Sequence, residues 1–284
     1  MIYEKFQMKE EGSTKDAVLT TYLLEDTPEF GVKKRPVVIV CPGGAYVYNS
    51  DREGEPLALQ FTAKGYHAVV LRYSVAPEAH FPTALLELGR TVQMLRERAE
   101  EWHIDTERIF LMGSSAGGHL VASYSCFWTK DWLRKALGCE KEVLRPNGLM
   151  LNYPVITSGE YAHRDSFKNL LADRYDELVE EMSLEKQVTE DNPPTFLWHT
   201  MTDGLVPVEN SMLFAKALKD KGISAELHLY SQGGHGIGVA TEVSGTEYWC
   251  EIVPICQSWV ELVHTWILET FGHLQLGVEQ KFFQ

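Results

Sequence analysis

Residues 110–121 read FLMGSSAGGHLV and contain a G-x-S-x-G pattern whose central residue is Ser115. An apolar run at 108–112 precedes the pattern and a run of small residues at 116–125 follows it, which predicts a strand, a sharp turn and a helix. The hydroxyl of Ser115 would stand at the tip of that turn. Glycine is expected at 113 and 117 because a side chain there would collide with a neighbouring strand or helix. The pattern is short and also occurs in turns without chemistry, so it predicts an activated serine only if partners are found elsewhere.

Apolar runs and amphipathic stretches alternate along the rest of the chain. Continuous apolar runs predict strands that are buried on both faces of a sheet, and they occupy residues 36–41, 67–73, 106–112, 148–153, 195–200 and 225–230. Helical spacing is found in residues 55–64, 83–102, 116–127, 208–222 and 247–271, the last with three Trp. An edge strand is predicted at 17–24, after a polar, peripheral segment at 1–16. This alternation predicts an α/β fold with a mostly parallel central sheet covered by helices on both faces.

Residues 154–194 interrupt the alternation. The segment is charged, has a helix-like stretch at 173–182, and is too long for an ordinary connection between a strand and a helix. We expect it to be an insertion over the top of the sheet that forms part of a cap over the active site. The chain of 284 residues would then be one domain, 1–284, that carries this small cap.

The charge balance and the cysteines limit the classes of partner. Lys plus Arg number 26 and Asp plus Glu number 40, which gives a net charge of −14 and disfavours nucleic acid or anionic membranes as partners. The five Cys are irregularly spaced without a C-x-x-C pair, so neither a zinc site nor a disulfide framework is indicated, and no metal is expected. The N-terminal segment lacks the apolar core of a signal peptide and no run approaches the length of a membrane span, which predicts a cytoplasmic protein.

A serine nucleophile needs a base that accepts its proton and an acid that orients the base. Loops at the carboxyl ends of parallel strands meet at one edge of the sheet, where ligands bind. His235 lies in a glycine-rich loop after the last predicted strand and is the candidate base, and Asp203 follows the preceding strand and is the candidate acid. The order Ser115, Asp203, His235 is that of the α/β-hydrolases.

Other residues of the same types are weaker candidates. Asp203 could instead be a turn-forming residue. The alternative acid is Asp191, but it precedes its strand and therefore lies at the wrong edge of the sheet. His199 and His228 lie inside predicted strands and are interpreted as structural. Cys41 is disfavoured as a nucleophile because nothing near it in the sequence supplies a base or lowers the pKa of its thiol.

An oxyanion formed on the substrate needs hydrogen-bond donors. The residue after the nucleophile, Ala116, and the glycine-rich loop at residues 42–46 are expected to supply them through the backbone N–H groups of Ala116, Gly44 and Ala45. Pro42 stands where the common His-Gly-Gly-Gly form of this loop has His, but backbone donors do not depend on that side chain. Tyr46 is either a wall of the substrate pocket or a packing residue.

These segments resemble the α/β-hydrolase esterases over nearly the whole chain, and within them the acetyl xylan esterase-like or BD-FAE-like branch, related to the hormone-sensitive-lipase group. The resemblance is carried by CPGGAYVYNSDREGEP at 41–56, YHAVVLRYSVAPEAHFP at 66–82, IFLMGSSAGGHLVA at 109–122, LNYPVIT at 151–157, PPTFLWHTMTDGLVPVENS at 193–211 and GGHG at 233–236. It implies the α/β-hydrolase fold and a serine esterase without a cofactor. It also implies hydrolysis of acetyl esters, such as those on xylo-oligosaccharides derived from hemicellulose.

Three other functions remain open. A general short-chain carboxylesterase would have no preference for sugars. A serine peptidase of the prolyl oligopeptidase type shares this catalytic domain, but the 284 residues are too few to contain its β-propeller as well. A catalytically inactive homologue that only binds a ligand would not need the complete set of Ser115, Asp203 and His235. In each enzymatic reading the partner is a small acylated or peptidic substrate, and a homodimer through the Trp-rich C-terminal helix is left open.

Overall fold

An eight-stranded sheet forms the centre of the structure, which is a computed structural model that describes residues 1–248 and 250–275. The strands are β1 (Lys5–Gln7), β2 (Val18–Tyr22), β3 (Arg35–Cys41), β4 (His67–Arg72), β5 (Ile104–Ser114), β6 (Gly148–Asn152), β7 (Thr195–Thr200) and β8 (Ala225–Tyr230). Their order across the sheet is β1-β2-β4-β3-β5-β6-β7-β8. β2 pairs antiparallel with β1 and β4, and the other neighbours pair parallel. The predicted α/β fold with a mostly parallel sheet is confirmed.

Helices cover both faces of this sheet. They are α1 (Glu55–Ala63), α2 (Thr83–Glu97), α3 (Ala116–Phe127), α4 (Asp131–Leu137), α5 (Arg164–Leu171), α6 (Tyr175–Leu178), α7 (Glu209–Asp220) and α8 (Trp259–Phe271). Two apolar cores result because successive side chains of a strand point to opposite faces. In β5, Leu111 packs with Leu120 of α3 on one face, whereas Phe110 belongs to the opposite core with Trp198 and Trp259.

Two sequence predictions were wrong at the ends of the chain. The N-terminal segment is not merely peripheral: it contains β1, so the edge of the sheet is β1 and the strand predicted at 17–24 pairs on both sides. The C-terminal helix begins at Trp259 rather than at 247. A short 3-10 turn at Pro254–Cys256 precedes it, because proline lacks the backbone N–H that a helix interior requires. Trp249, which was assigned to that helix, lies outside the described residues.

The segment 154–194 has less regular structure than its sequence suggested. The helix expected at 173–182 is one turn, α6, and the longer helix α5 precedes it. The segment is tied to helix α7 by a side chain: Asn210 Oδ1 accepts hydrogen bonds from the backbone N–H groups of Ile156 (2.8 Å) and Thr157 (3.0 Å). These bonds fix the point at which the segment leaves the sheet.

Candidate active site

Ser115 occupies the sharp turn between β5 and α3. Its backbone angles are φ 54° and ψ −118°, a conformation that is costly for a residue with a side chain. A Cβ atom on Gly113 would lie 2.2 Å from the carbonyl oxygen of Gly117, and one on Gly117 would lie 2.1 Å from that of Cys41 in β3. The strand, turn and helix that the sequence predicted around Ser115 are therefore present, and the two glycines are required by close backbone contacts.

A chain of two hydrogen bonds joins the three residues that the sequence singled out. The Ser115 hydroxyl lies 2.7 Å from His235 Nε2, and His235 Nδ1 lies 2.7 Å from Asp203 Oδ2. His235 lies on the loop after β8 and Asp203 on the loop after β7, so both loops leave the same edge of the sheet as the turn at Ser115. With a proton on Nδ1, His235 donates to the carboxylate and can accept the serine proton at Nε2.

The side chain of Asp203 is fully buried, and both of its oxygens accept hydrogen bonds. Its Oδ2 accepts from His235 and from His199 Nε2 (3.1 Å), and its Oδ1 accepts from the backbone N–H groups of Leu205 (2.9 Å) and Val206 (3.0 Å). Burial acts to raise the pKa of this carboxyl, but the hydrogen bonds from His199 and His235 outweigh it and hold the pKa well below its usual value. The carboxylate is therefore ionised and can stabilise an imidazolium on His235.

His199 was interpreted as structural, and the structure adds a contact that the sequence did not reveal. Its Nε2 lies between Asp203 Oδ2 and the Val206 carbonyl oxygen (3.0 Å), and its Nδ1 lies 2.8 Å from the Ser211 hydroxyl. Because both neighbours of Nε2 are acceptors, the proton is on Nε2, and Ser211 donates to Nδ1. His199 thus donates to the same carboxylate oxygen as His235 and helps to hold the acid. Only its position near the end of β7 hinted at this contact.

The glycine-rich loop, residues 42–46, lies beside Ser115. A Cβ atom on Gly43 would lie 2.9 Å from Ser115 Cβ, and Gly44 and Ala45 line the cavity above the serine. Within the described part of the chain, the backbone N–H groups of Gly44, Ala45 and Ala116 have no hydrogen-bond acceptor. Gly44 and Ala45 are half-buried and line the cavity, so their N–H groups are available to a ligand oxygen there. Their role as oxyanion donors remains a prediction.

Tyr46 is a packing residue rather than a wall of the cavity. It is 3% exposed, and its hydroxyl donates to His119 Nδ1 (2.9 Å), whose Nε2 donates in turn to the Met182 carbonyl oxygen (3.0 Å). Burial lowers the pKa of His119 to about 4, which keeps that imidazole neutral. The exposed Tyr48 lines the cavity instead. The reversal of the backbone at Tyr46, where φ is 61°, could not be read from the sequence.

The cavity over Ser115 has a volume of about 160 Å³, which is small for a ligand site. Its walls are formed by Gly44, Ala45, Tyr48, Ser50, Arg52, Glu53, Ser115, His163, Leu205, His235 and Gly236. A larger cavity of about 500 Å³ lies beside Asn147 and Pro194, at the amino ends of β6 and β7, and contains none of the three predicted catalytic residues. Of these two cavities, only the smaller one is lined by Ser115 and His235.

Two residues of the segment 154–194 reach this region. His163 lines the cavity, and burial, helped by the nearby His235, lowers the pKa of its imidazole. The Asn169 amide donates to the Ala45 carbonyl oxygen at 2.9 Å and so contacts the glycine-rich loop directly. A neutral His163 can both donate and accept hydrogen bonds toward a bound alcohol.

The described residues contain no group of three or more His, Cys, Asp or Glu side chains that could hold a metal ion. None of the helices in the described ranges has the length and apolar character needed to span a bilayer.

Two family descriptions match the sequence. The family described as BD-FAE matches residues 26–142, and the one described as the prolyl oligopeptidase family matches residues 91–249. Endo-1,4-beta-xylanase B of Butyrivibrio fibrisolvens is 38% identical to this chain over 226 residues, which cover 76% of the chain and 35% of that protein. The chain spans 35–58% of the length of four of the curated relatives that it matches.

Solved structures resemble the chain over most of its length. The acetyl ester-xyloside bifunctional hydrolase of Caldicellulosiruptor lactoaceticus is 35% identical, with a TM-score of 0.76 over 90% of this chain and 89% of that one. A carboxylesterase of Lactobacillus plantarum is 29% identical, with a TM-score of 0.83 over 95% of this chain and 98% of that one. The likeness therefore extends well beyond the serine motif.

Proposed function

This chain belongs to the α/β-hydrolase esterases of the BD-FAE-like and acetyl xylan esterase-like type, and we propose that Ser115 is its nucleophile. Its substrates are short-chain esters, in particular acetyl esters on oligosaccharides derived from hemicellulose, such as acetylated xylo-oligosaccharides. The observation that carries the proposal is the hydrogen-bond chain from Ser115 through His235 to Asp203 at the floor of a small cavity.

The geometry supports acyl transfer in two steps. Ser115 Oγ attacks the ester carbonyl carbon while its proton passes to His235 Nε2, and the Asp203 carboxylate stabilises the resulting imidazolium. The carbonyl oxygen, now an oxyanion, binds the N–H groups of Gly44, Ala45 and Ala116. His235 then protonates the leaving alcohol, which departs and leaves an acetyl-serine. Water attacks this intermediate with His235 again as base, which releases acetate and restores Ser115.

Two features favour a small acyl group on a sugar. A cavity of about 160 Å³ leaves little room beyond a short acyl chain and the reacting atoms. The relatives include a xylanase and an acetyl ester-xyloside hydrolase, both of which act on xylose-containing compounds according to their names. His163, which lines the cavity, can hydrogen-bond to the hydroxyls of the leaving sugar.

Residues 154–194 are proposed to form part of a cap within a single domain of residues 1–284. The contacts of His163 with the cavity and of Asn169 with Ala45 support this proposal. In this arrangement the segment sets the preference for the alcohol rather than the chemistry.

Acetate release tests the substrate. The purified protein is assayed on acetylated xylo-oligosaccharides and on an aryl acetate, with Ser115→Ala as the matched inactive control. We expect release from both substrates, with a higher kcat/KM on the sugar ester, and none above background with S115A. Release from the aryl acetate alone would favour a general carboxylesterase, which the Lactobacillus plantarum neighbour supports. No release from either ester by the folded protein would contradict the proposal.

A second candidate is a serine peptidase, because the prolyl oligopeptidase family matches more than half of the chain. The peptidase would be favoured if the wild type cleaves a prolyl-aryl amide and S115A does not. In that case ester hydrolysis should not exceed the rate of an unrelated serine peptidase. The small cavity favours the esterase instead, since a peptide substrate would need room on both sides of the scissile bond.

A further inference from the structure

Glu53 is a second buried carboxylate beside Ser115, and the mechanism above does not use it. It ends the short 3-10 turn Asp51–Glu53 that follows the glycine-rich loop. Its side chain lines the cavity, although the residue is only 2% exposed. A buried carboxylate is costly unless donors satisfy both of its oxygens, so its partners indicate its role.

One oxygen of Glu53 holds the glycine-rich loop. Oε2 accepts the backbone N–H of Gly43 at 2.8 Å, and the carbonyl oxygen of Gly43 accepts the backbone N–H of Ser50 at 2.9 Å. The N–H group and the carbonyl group of Gly43 are thereby both hydrogen-bonded to residues 50–53. The next residue but one, Ala45, has a φ of 52°, an unfavourable conformation that persists only where surrounding contacts impose it. The anchor at Gly43 is one such contact, and it leaves the N–H groups of Gly44 and Ala45 to the cavity.

The other oxygen of Glu53 reaches the loop that carries His235. Oε1 accepts the Tyr153 hydroxyl at 2.7 Å, and the Tyr153 oxygen accepts the backbone N–H of Gly238 at 2.9 Å. The Tyr153 ring also lies edge-on to the His235 ring, with centroids 5.1 Å apart. Burial and the adjacent carboxylate raise the pKa of the Tyr153 phenol well above its usual value, so it remains a donor.

We infer that Glu53 is a positioning residue that holds the glycine-rich loop and the loop carrying His235 in fixed relation around Ser115. The inference rests on the proposed function, because it assigns Gly44 and Ala45 as oxyanion donors. Glu53 does not touch the reacting atoms in this scheme. Its carboxylate acts through Gly43 on the donors and through Tyr153 on the base.

Glu53→Gln tests the role because an amide cannot satisfy both partners in either orientation. With its oxygen toward Gly43, its NH₂ group faces the Tyr153 hydroxyl, whose own hydrogen then loses its acceptor. With its oxygen toward Tyr153, the NH₂ group faces the Gly43 N–H, and two donors meet. One buried donor is left unpaired in both cases, which should displace one of the loops.

We expect E53Q to lower kcat on an aryl acetate about 10- to 100-fold while KM changes less than about threefold. Loss of donor position affects the transition state more than the bound ester. The affinity for a trifluoromethyl ketone, which forms an oxyanion on the serine, should therefore fall by the same factor as kcat/KM. A merely structural Glu53 would lower the thermal midpoint without this parallel loss.

Glu55→Gln is the matched control. Glu55 accepts the Tyr22 hydroxyl at 2.7 Å, so it forms the same kind of carboxylate–tyrosine bond, but away from the cavity over Ser115. We expect E55Q to stay within about twofold of the wild-type kcat. Values of kcat and ketone affinity within twofold of wild type in E53Q, or equal losses in E53Q and E55Q, would overturn the inference.

Tyr153→Phe provides a second route if E53Q does not fold. This variant removes the hydrogen bond to Glu53 Oε1 and keeps the one between Oε2 and the Gly43 N–H. We therefore expect kcat to fall roughly tenfold. An unchanged kcat in a folded Y153F would also overturn the inference.

A fluorophosphonate separates failure of this inference from failure of the proposed function. The rate at which it labels Ser115 depends on the same donors and base but on no particular substrate. If the wild type hydrolyses no ester, the proposed function fails. A slower labelling rate in E53Q than in E55Q would still support the positioning role, and equal rates would reject it.

Discussion

Two buried carboxylates flank Ser115, and they differ in what they hold. Asp203 accepts four hydrogen bonds, two of them from imidazoles, and is in direct contact with the candidate base. Glu53 accepts one backbone N–H and one phenol and contacts neither Ser115 nor His235 by a hydrogen bond. In the proposed mechanism, Asp203 acts on the base that accepts the serine proton, whereas Glu53 acts on the placement of the oxyanion donors.

The difference explains why the sequence revealed only one of them. Asp203 follows a buried strand and stands in the order Ser, Asp, His, so both its position and its type were informative. Glu53 lies in a polar turn, DREGE, where a carboxylate is most often a solvated side chain. Its burial depends on Tyr153, which is 100 residues away in the chain, and on the reversal of the glycine-rich loop.

We expect the largest effect on kcat from removing the charge of Asp203. Asp203→Asn keeps the shape but removes the charge and allows the wrong imidazole tautomer, so kcat should fall about 10³- to 10⁴-fold, as in other enzymes of this chemistry. Asp191→Asn is the control, because this exposed residue was the alternative acid and lies beside the larger cavity. A D203N enzyme that retains more than a tenth of the wild-type kcat would show that another group serves as the acid.

His199→Asn tests whether the second imidazole bound to Asp203 contributes to activity. It removes the second imidazole that donates to Asp203 while His235 remains in place. We expect a loss of roughly tenfold in kcat, since a hydrogen bond to a charged group is involved. His228→Asn is the control: this imidazole is bound to Glu226 on β8 and has no contact with the acid. Equal rates for H199N and wild type would return His199 to a purely structural role.

The wall of the cavity should have a smaller effect. Leu205 lines the cavity and is 54% exposed, so Leu205→Ala opens the mouth without disturbing a core. We expect the kcat/KM ratio for butyrate over acetate esters to rise roughly threefold, which is typical of a small change in an apolar pocket. Met201→Ala is the control, because Met201 has a similar exposure of 50% but does not line the cavity. A ratio that rises equally in both variants would mean that Leu205 does not limit the size of the acyl group.

The smallest effect concerns stability and pH. The pKa of Asp203 is lowered in the folded chain from its usual value near 4, so its ionised form stabilises the fold at higher pH, and that stability is lost as pH falls below about 4. Asn at this position does not titrate. The difference in thermal midpoint between wild type and D203N should therefore be largest above about pH 5 and shrink toward pH 3. A difference that is constant with pH would mean that the carboxylate is not stabilised in the fold.

Much of the fold and part of the site could be predicted from the sequence. The buried strands and the helix after Ser115 were identified because continuous apolar runs and helical spacing are local signals. The three predicted catalytic residues lie together because parallel strands deliver their following loops to one edge.

What escaped prediction depends on contacts between distant parts of the chain. Strand β1 has only three residues, and its pairing with β2 is what makes it a strand. The orientations of Tyr46 and Tyr48 depend on left-handed backbone angles within the glycine-rich loop. The irregular segment 154–194 is organised by side chains such as Asn210 rather than by a helical repeat of its own.

Intact-protein mass measurement after reaction with a fluorophosphonate tests the central claim most directly. If Ser115 is the activated nucleophile, the wild type gains the mass of one adduct, peptide mapping places it on Ser115, and S115A gains none. Labelling should also be much slower in D203N than in Asp191→Asn. An unlabelled wild type, or an adduct that persists in S115A, would contradict the account.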